Sequence, residues 1–188
     1  MRKPQQYYNL NIPDDDYKMA AIMERDKANF ESPNKWVYVA ADSRNPRAAK
    51  IGITEKDLRS RSYSTGNPGY YLFCAFQCDQ SITQQQLEDV ERNAMGYLDR
   101  VFVDHNGITK RERHWESQRL SEWYYDIDFE EFFVSLHDYL LDNYASHFQI
   151  AGYVNEVGQE EGYALSWFFN PRLPVEISRR FRRMIIRA

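Results

Sequence analysis

Tyr38 and Lys50 sit inside two short apolar runs, KWVYVAA (35–41) and AKIGIT (49–54), joined by the turn-rich DSRNPR. Side chains alternate across a strand, so Val37, Val39 and Ala41 share one face of the first run while Trp36, Tyr38 and Ala40 share the other. Ile51 and Ile53 likewise oppose Lys50 and Gly52. If the aliphatic faces of both runs meet one core, Tyr38 and Lys50 emerge together on the opposite side. Two readings then fit the lysine: it is aimed at a site, or it snorkels to water from a strand edge. Arg59 and Tyr63, four residues apart in TEKDLRSRSY (54–63), share a helix face, and Arg59 is equally spaced to pair with Glu55. Glu91 is the least expected of the set. In TQQQLEDVERNAMGYLD (83–99), Leu87, Ala94 and Leu98 form an apolar stripe in which Glu91 stands four residues after Leu87, whereas Glu88 points to the polar side. A carboxylate there costs free energy unless it meets a cation, a metal ion or a hydrogen-bond network. Carboxylates of this kind are frequent at functional sites, although a structural salt bridge would also satisfy this one.

The elements that must hold these side chains follow from the surrounding pattern. The two runs predict a β-hairpin, and TEKDLRSRSY a short helix with a Thr-x-x-Asp start. GNPG breaks that helix, and YYLFCAFQC (70–78) predicts a third, strongly apolar strand. A second helix spans 82–99, followed by the irregular, polar HNGITKRERHWESQR, and SEWYYDI fits a short strand. DFEEFFVSLHDYLLDNY, with an Asp-x-x-Glu start and Phe129, Phe132, Phe133, Leu136 and Leu140 at helical spacing, predicts a core-facing helix. YVNEVGQEEGYALSWFF reads as a hairpin, and an arginine-rich helix closes the sequence. Residues 14–29, opening on acids, predict an additional helix. The expected fold is α+β: a small three-stranded antiparallel sheet flanked by helices, with N- and C-terminal extensions. The expected divisions are an N-terminal helical extension over 1–34, a central domain over 35–146, and a C-terminal hairpin and helix over 147–188.

At 188 residues, 43% hydrophobic and 15% aromatic, the chain has the composition of one globular core rather than of a disordered protein. Cys74 and Cys78 lie in one apolar stretch without a second pair or a nearby histidine, which argues against a zinc site or disulfide framework and for packing in a reducing compartment. The first residues lack a signal-peptide core and no run approaches 18 apolar residues, so the expectation is a soluble, cytoplasmic protein with no membrane partner. The net charge of −4 argues against indiscriminate nucleic-acid binding, but it is unevenly spread. From Pro171 onward six arginines face one acid, giving that segment +5 and leaving −9 elsewhere. Either this is a polyanion-facing surface or, since Ile177, Phe181, Met184 and Ile185 recur at helical spacing, the wet side of a docked helix.

The order of these features resembles the GIY-YIG nuclease superfamily over about residues 35–140. WVY (36–38) occupies the place of the first motif, with Trp36 where the family has glycine. KIG (50–52) occupies the second, with Lys50 where the family has tyrosine. Lysine at that place is similar to a branch with phage-encoded and some restriction-type members, which STGNP (64–68) and EWYY (122–125) also match. The resemblance implies a metal-dependent endonuclease that hydrolyses DNA phosphodiester bonds. In it, Tyr38 would be the general base, Glu91 the ligand of one Mg²⁺ (Mn²⁺ as the alternative), Arg59 a phosphate clamp, and Tyr63 a hydrogen-bonding group for water or phosphate. A free phenol ionises near ~10, and Lys50 on the same face would favour its phenolate. These five side chains are expected to converge on one concave face. DNA would be held by Arg61, by Lys110, Arg111, Arg113 and Trp115 in TKRERHWESQR, and by Arg179, Arg180 and Arg183 of the tail, a composition suited to phosphate contacts and base stacking. A charged surface loop would account for TKRERHWESQR as well. A non-catalytic nucleic-acid-binding module and a protein-interaction domain remain the alternatives.

Overall fold

The computed structural model of the chain describes residues 35–55, 58, 67–154 and 158–188. The helix expected over 14–29, and most of the one expected over 54–63 with Arg59, Arg61 and Tyr63, lie outside the described residues. Strands β1 (Trp36–Asp42) and β2 (Asn45–Thr54) form a tight hairpin. The expected six-residue turn shrinks to Ser43 and Arg44, because the Asp42 carboxylate accepts the Arg44 N–H at 2.8 Å and closes the bend locally. Asn45 can then already pair with Asp42. Strand β3 (Tyr70–Gln77) lies antiparallel to β1, and a bulge beside Val39 and Ala40 turns both Phe73 and Cys74 toward the main core. That bulge, with burial on both faces, is why YYLFCAFQC shows no alternation.

Helix α1 (Gln84–Val101) opens with a capping box in which Thr83 and Gln86 satisfy each other's backbone N–H groups. Its Leu87, Val90, Ala94 and Leu98 are buried. Then come β4 (Arg111–Arg113), β5 (Leu120–Tyr124), α2 (Phe129–Tyr144, N-capped by Asp128), a 3-10 turn at Ala145–His147, β6 (Ile150–Val154), β7 (Glu160–Leu165), β8 (Trp167–Phe169) and α3 (Val175–Ile185). The main sheet is antiparallel, six-stranded, and ordered β4-β5-β2-β1-β3-β8; β6 and β7 form a separate two-stranded sheet. This corrects the three-stranded expectation within the same α+β class. The added strands are three to five residues long, too short to show a period, and they join the sheet through pairings remote in sequence, Lys50 with Trp123 and Ala75 with Phe168.

The main core lies between one face of the sheet and the helices. It holds Val37, Val39, Ile51, Phe73 and Phe76 of the sheet with Leu87, Leu98, Phe132, Phe133 and Leu140 of α1 and α2. Phe181 and Ile185 of α3 belong to it too, so the C-terminal segment packs onto the same core as residues 35–146. A smaller cluster covers the other face: Tyr38, Ala40, Leu58, Tyr70, Leu72 and Ala75, with Trp36 and Trp123 at its margin. Alternation in the first hairpin thus divides its side chains between two apolar clusters. No helix among the described residues is long and apolar enough to cross a membrane.

Candidate functional site

Strand β2 organises the candidate site. Lys50 faces Ala40 on one neighbouring strand and Trp123 on the other, on the side that carries Tyr38. Its side chain is only 17% exposed, and its ammonium lies 2.7 Å from the Glu122 carboxylate. The cation therefore neither packs in a core nor trails into water; it is held by an acid 72 positions further along the chain. The Tyr38 ring packs closely against Gly52, its cross-strand partner. A Cβ on residue 52 would stand 2.5 Å from the ring carbon Cζ and from the hydroxyl oxygen. Glycine is required here by close approach rather than by an unusual backbone angle. Gly52→Ala is accordingly expected to push the phenol out of its slot and destabilise the fold by about 1–3 kcal/mol, read as a lower thermal midpoint. A midpoint equal to that of wild type would show that the ring yields freely.

Glu91 reaches the same strand from α1. Beyond Lys50, β5 no longer pairs with β2, and there the Ile53 backbone N–H donates to the Glu91 carboxylate. Burial raises the Glu91 pKa to about 7, the Glu122 carboxylate adds to the rise, and Lys50 and the Ile53 N–H offset part of it. The ordinary value for a glutamate is ~4.3. The arrangement differs in one respect from convergence on a single concave face. Helix α1 packs on the main-core side of the sheet and Tyr38 lies on the other; Glu91 accepts from the Ile53 N–H while the Tyr38 ring lies against the adjacent Gly52. A groove of about 400 Å³, lined by Arg47, Phe73, Phe129 and Phe181 among others, lies elsewhere and contains none of the candidate catalytic side chains.

Glu122 is the side chain that sequence reasoning left without a role, although EWYY had marked its neighbourhood. Among the described residues no group of three or more His, Cys, Asp or Glu side chains is gathered as a metal cage. The chemistry of the donor set still suits a hard divalent cation. Glu91 is a half-buried carboxylate short of positive charge, with a second acid close by, and Mg²⁺ commonly takes one or two protein carboxylates while keeping waters and substrate phosphates as its other ligands. The thiols offer no alternative chemistry: Cys74 and Cys78 are buried, and burial raises Cys74 well above its usual range and Cys78 to about 12.

The residues expected to hold DNA separate into committed and outward-facing groups. Arg111 donates to the Asp99 carboxylate at 2.9 Å and to the Ser121 carbonyl at 2.7 Å, and its guanidinium lies over the Tyr124 ring. Tyr124 and Thr109 donate to the same carboxylate, a network that fastens the β4–β5 hairpin to α1. Arg111 thus commits donors on Nε and Nη1 to holding the hairpin. The Lys110 ammonium donates to the Asp126 carbonyl, and Arg113 to the Gln118 carbonyl. Trp115 projects from the hairpin with 87% of its surface exposed. In the tail, Arg182 is paired with Glu161 at 2.7 Å, Arg187 with Asp138 and Asp142, and Arg180 with Glu130. Arg179 and Arg183 are exposed. The helix is docked, with Phe181 and Ile185 in the main core. No protein-family model, no curated protein and no solved structure matches the chain.

Proposed function

We propose that the chain is a metal-dependent endonuclease that hydrolyses DNA phosphodiester bonds at the margin of β2. The observation that carries this reading is that Lys50, the Gly52 against which the Tyr38 ring lies, and the Ile53 N–H that Glu91 accepts are consecutive or near-consecutive on β2, with Glu91 held at a pKa of about 7. The likeness of its motif order to the GIY-YIG nucleases, noted from the sequence, supports it. Phosphodiester hydrolysis needs an activated water, charge stabilisation on the phosphoryl oxygens and relief for the leaving oxygen. Tyr38, its ring set against Gly52, is the general base, its phenolate oxygen taking the proton of the attacking water. Lys50, held in place by Glu122, supplies positive charge on the same face for an incoming phosphate. Glu91 deprotonates near neutral pH and would be the ligand of one Mg²⁺, which when bound supplies Lewis-acid stabilisation of the phosphate and of the leaving oxygen. Arg59 would clamp the phosphate through its planar fork and Tyr63 would orient water or phosphate, as the motif order implies.

Conversion of supercoiled plasmid to nicked circles tests the proposal. Wild type is expected to nick in Mg²⁺ and not in EDTA, and Glu91→Ala to be slower by on the order of 10² or more, the equivalent of a few kcal/mol of lost charge stabilisation. Cutting by both proteins at the same rate would expose a contaminant. Cutting by neither would favour a nucleic-acid-binding module without catalysis.

A further inference from the structure

We propose that the β4–β5 hairpin is a stacking element for an unpaired base, so that the preferred nucleic acid carries a single-stranded or frayed nucleotide a few base steps from the cut. The inference rests on the nucleic-acid reading above and names the form of substrate that reading leaves open. Trp115 is the most exposed large hydrophobic side chain among the described residues. A flexible loop would recover free energy by folding such a ring inward, since burying it is worth a few kcal/mol. This loop is held open instead. The His114 N–H donates to the Arg119 carbonyl at 2.9 Å and the Gln118 N–H to the His114 carbonyl at 2.8 Å. The Gln118 side-chain amide donates to the Trp115 carbonyl at 2.6 Å, and Arg113 closes on the Gln118 carbonyl at 2.7 Å. Gln118 itself adopts a positive φ of 55°, a left-handed conformation that these bonds secure.

The surroundings decide what the ring is for. A protein hot spot presents an aromatic anchor amid further contacts that exclude water, whereas the neighbours of Trp115 in the loop are all polar and exposed. A general phosphate patch would carry net positive charge, yet Arg113 and Arg119 are balanced by Glu112 and Glu116. A single rigid, flat ring in a neutral polar setting suits the π-face of a base. Stacking of that kind tolerates any sequence. In a continuous duplex both faces of each base are already covered, so the ring selects a base that is unpaired or at an end. The hairpin also fixes where that base lies, because β5 places Glu122 on Lys50 and pairs Trp123 with Lys50. Four residues from Arg119 to Trp123 cover about 13 Å at ~3.3 Å each, or about four base steps of ~3.4 Å.

Fluorescence anisotropy in EDTA, where no cutting occurs, tests this with two labelled probes, a blunt DNA duplex and the same duplex bearing a single-stranded overhang. Wild type is expected to prefer the overhang probe. Trp115→Ala should reduce that preference about tenfold, within the range for one base–aromatic stack, with the slope of affinity against salt unaltered, and Trp115→Phe should restore most of it. A preference unchanged in Trp115→Ala, or an equal loss on both probes, overturns the proposal and leaves the ring to a protein partner or to general duplex contact. Wild type binding neither probe overturns it together with the nucleic-acid reading, and so is distinguishable from failure of the stacking role alone.

Discussion

Phe181→Ala should unfold about 10 °C below wild type. Its ring is buried and makes edge contacts with Phe73 at 4.7 Å, Phe133 at 5.2 Å and Phe129 at 5.8 Å between centroids. Truncating a buried phenylalanine costs about 3–5 kcal/mol, and for a chain of this size each kcal/mol shifts the midpoint by ~2–4 °C. The same change separates the two faces of α3. Arg179→Gln with Arg183→Gln should leave the midpoint within about 1 °C, since exposed charges contribute little to stability. If those arginines contact DNA, the double variant should flatten the slope of log affinity against log salt by up to ~2, at about 0.9 per lost phosphate contact. Thermal melts of the variants check both statements. A Phe181→Ala midpoint equal to that of wild type would mean that α3 is not docked on the core.

Glu91→Gln should be more stable than wild type above pH 7, by about 1–2 kcal/mol. In the folded protein Glu91 keeps its proton up to about pH 7, while in the unfolded chain it releases it near ~4.3. Between those values the folded state binds more protons than the unfolded state, so wild-type stability falls as pH rises through that window. Glutamine mimics the protonated acid and does not titrate. The advantage of the variant is therefore expected to be near zero at pH 4, to grow between about pH 4.5 and 7, and to level off above; partial exposure of the carboxylate keeps it below the full linkage value. Denaturant melts across pH in EDTA give the curve. A constant difference at all pH values would mean that the carboxylate is already compensated. In Mg²⁺ at pH 8 the ordering should change, because a cation bound to the Glu91 carboxylate stabilises wild type by mass action and leaves the glutamine variant unaffected.

The parts of this picture that the sequence carries are those set by short-range periodicity. Alternation in WVYVA and KIGI assigns Val37, Val39 and Ile51 to one face and Tyr38 with Lys50 to the other, because both faces of these strands pack and a one-residue slip would exchange them. The stripe of Leu87, Ala94 and Leu98 places Glu91 toward the sheet for the same reason. What escapes sequence reading is set by contacts between remote segments. Lys50 meets Glu122 only because β5 pairs with β2 at Ala49 and Lys50, a pairing with no local signature. Arg111 looks like any surface arginine until β4 folds it over Tyr124 and Asp99. Strands β4 and β8, three residues each, are too brief to distinguish from loop. The role of Gly52 likewise appears only once the Tyr38 ring is placed against it.

In the proposed mechanism Tyr38 and Glu91 act together on a phosphodiester at the margin of β2. Single-turnover cleavage of one plasmid in Mg²⁺ by wild type, Tyr38→Phe and Glu91→Gln tests it most directly. Phenylalanine keeps the ring against Gly52 and removes only the hydroxyl, so Tyr38→Phe is expected to have an unaltered melting temperature and DNA affinity with a rate lower by about 10² or more, in the range of a lost general base. The glutamine variant should be slowed at least as much, and no amount of added Mg²⁺ should rescue it. Tyr38→Phe cutting at the wild-type rate would rule out this mechanism, and so would Glu91→Gln restored by excess Mg²⁺.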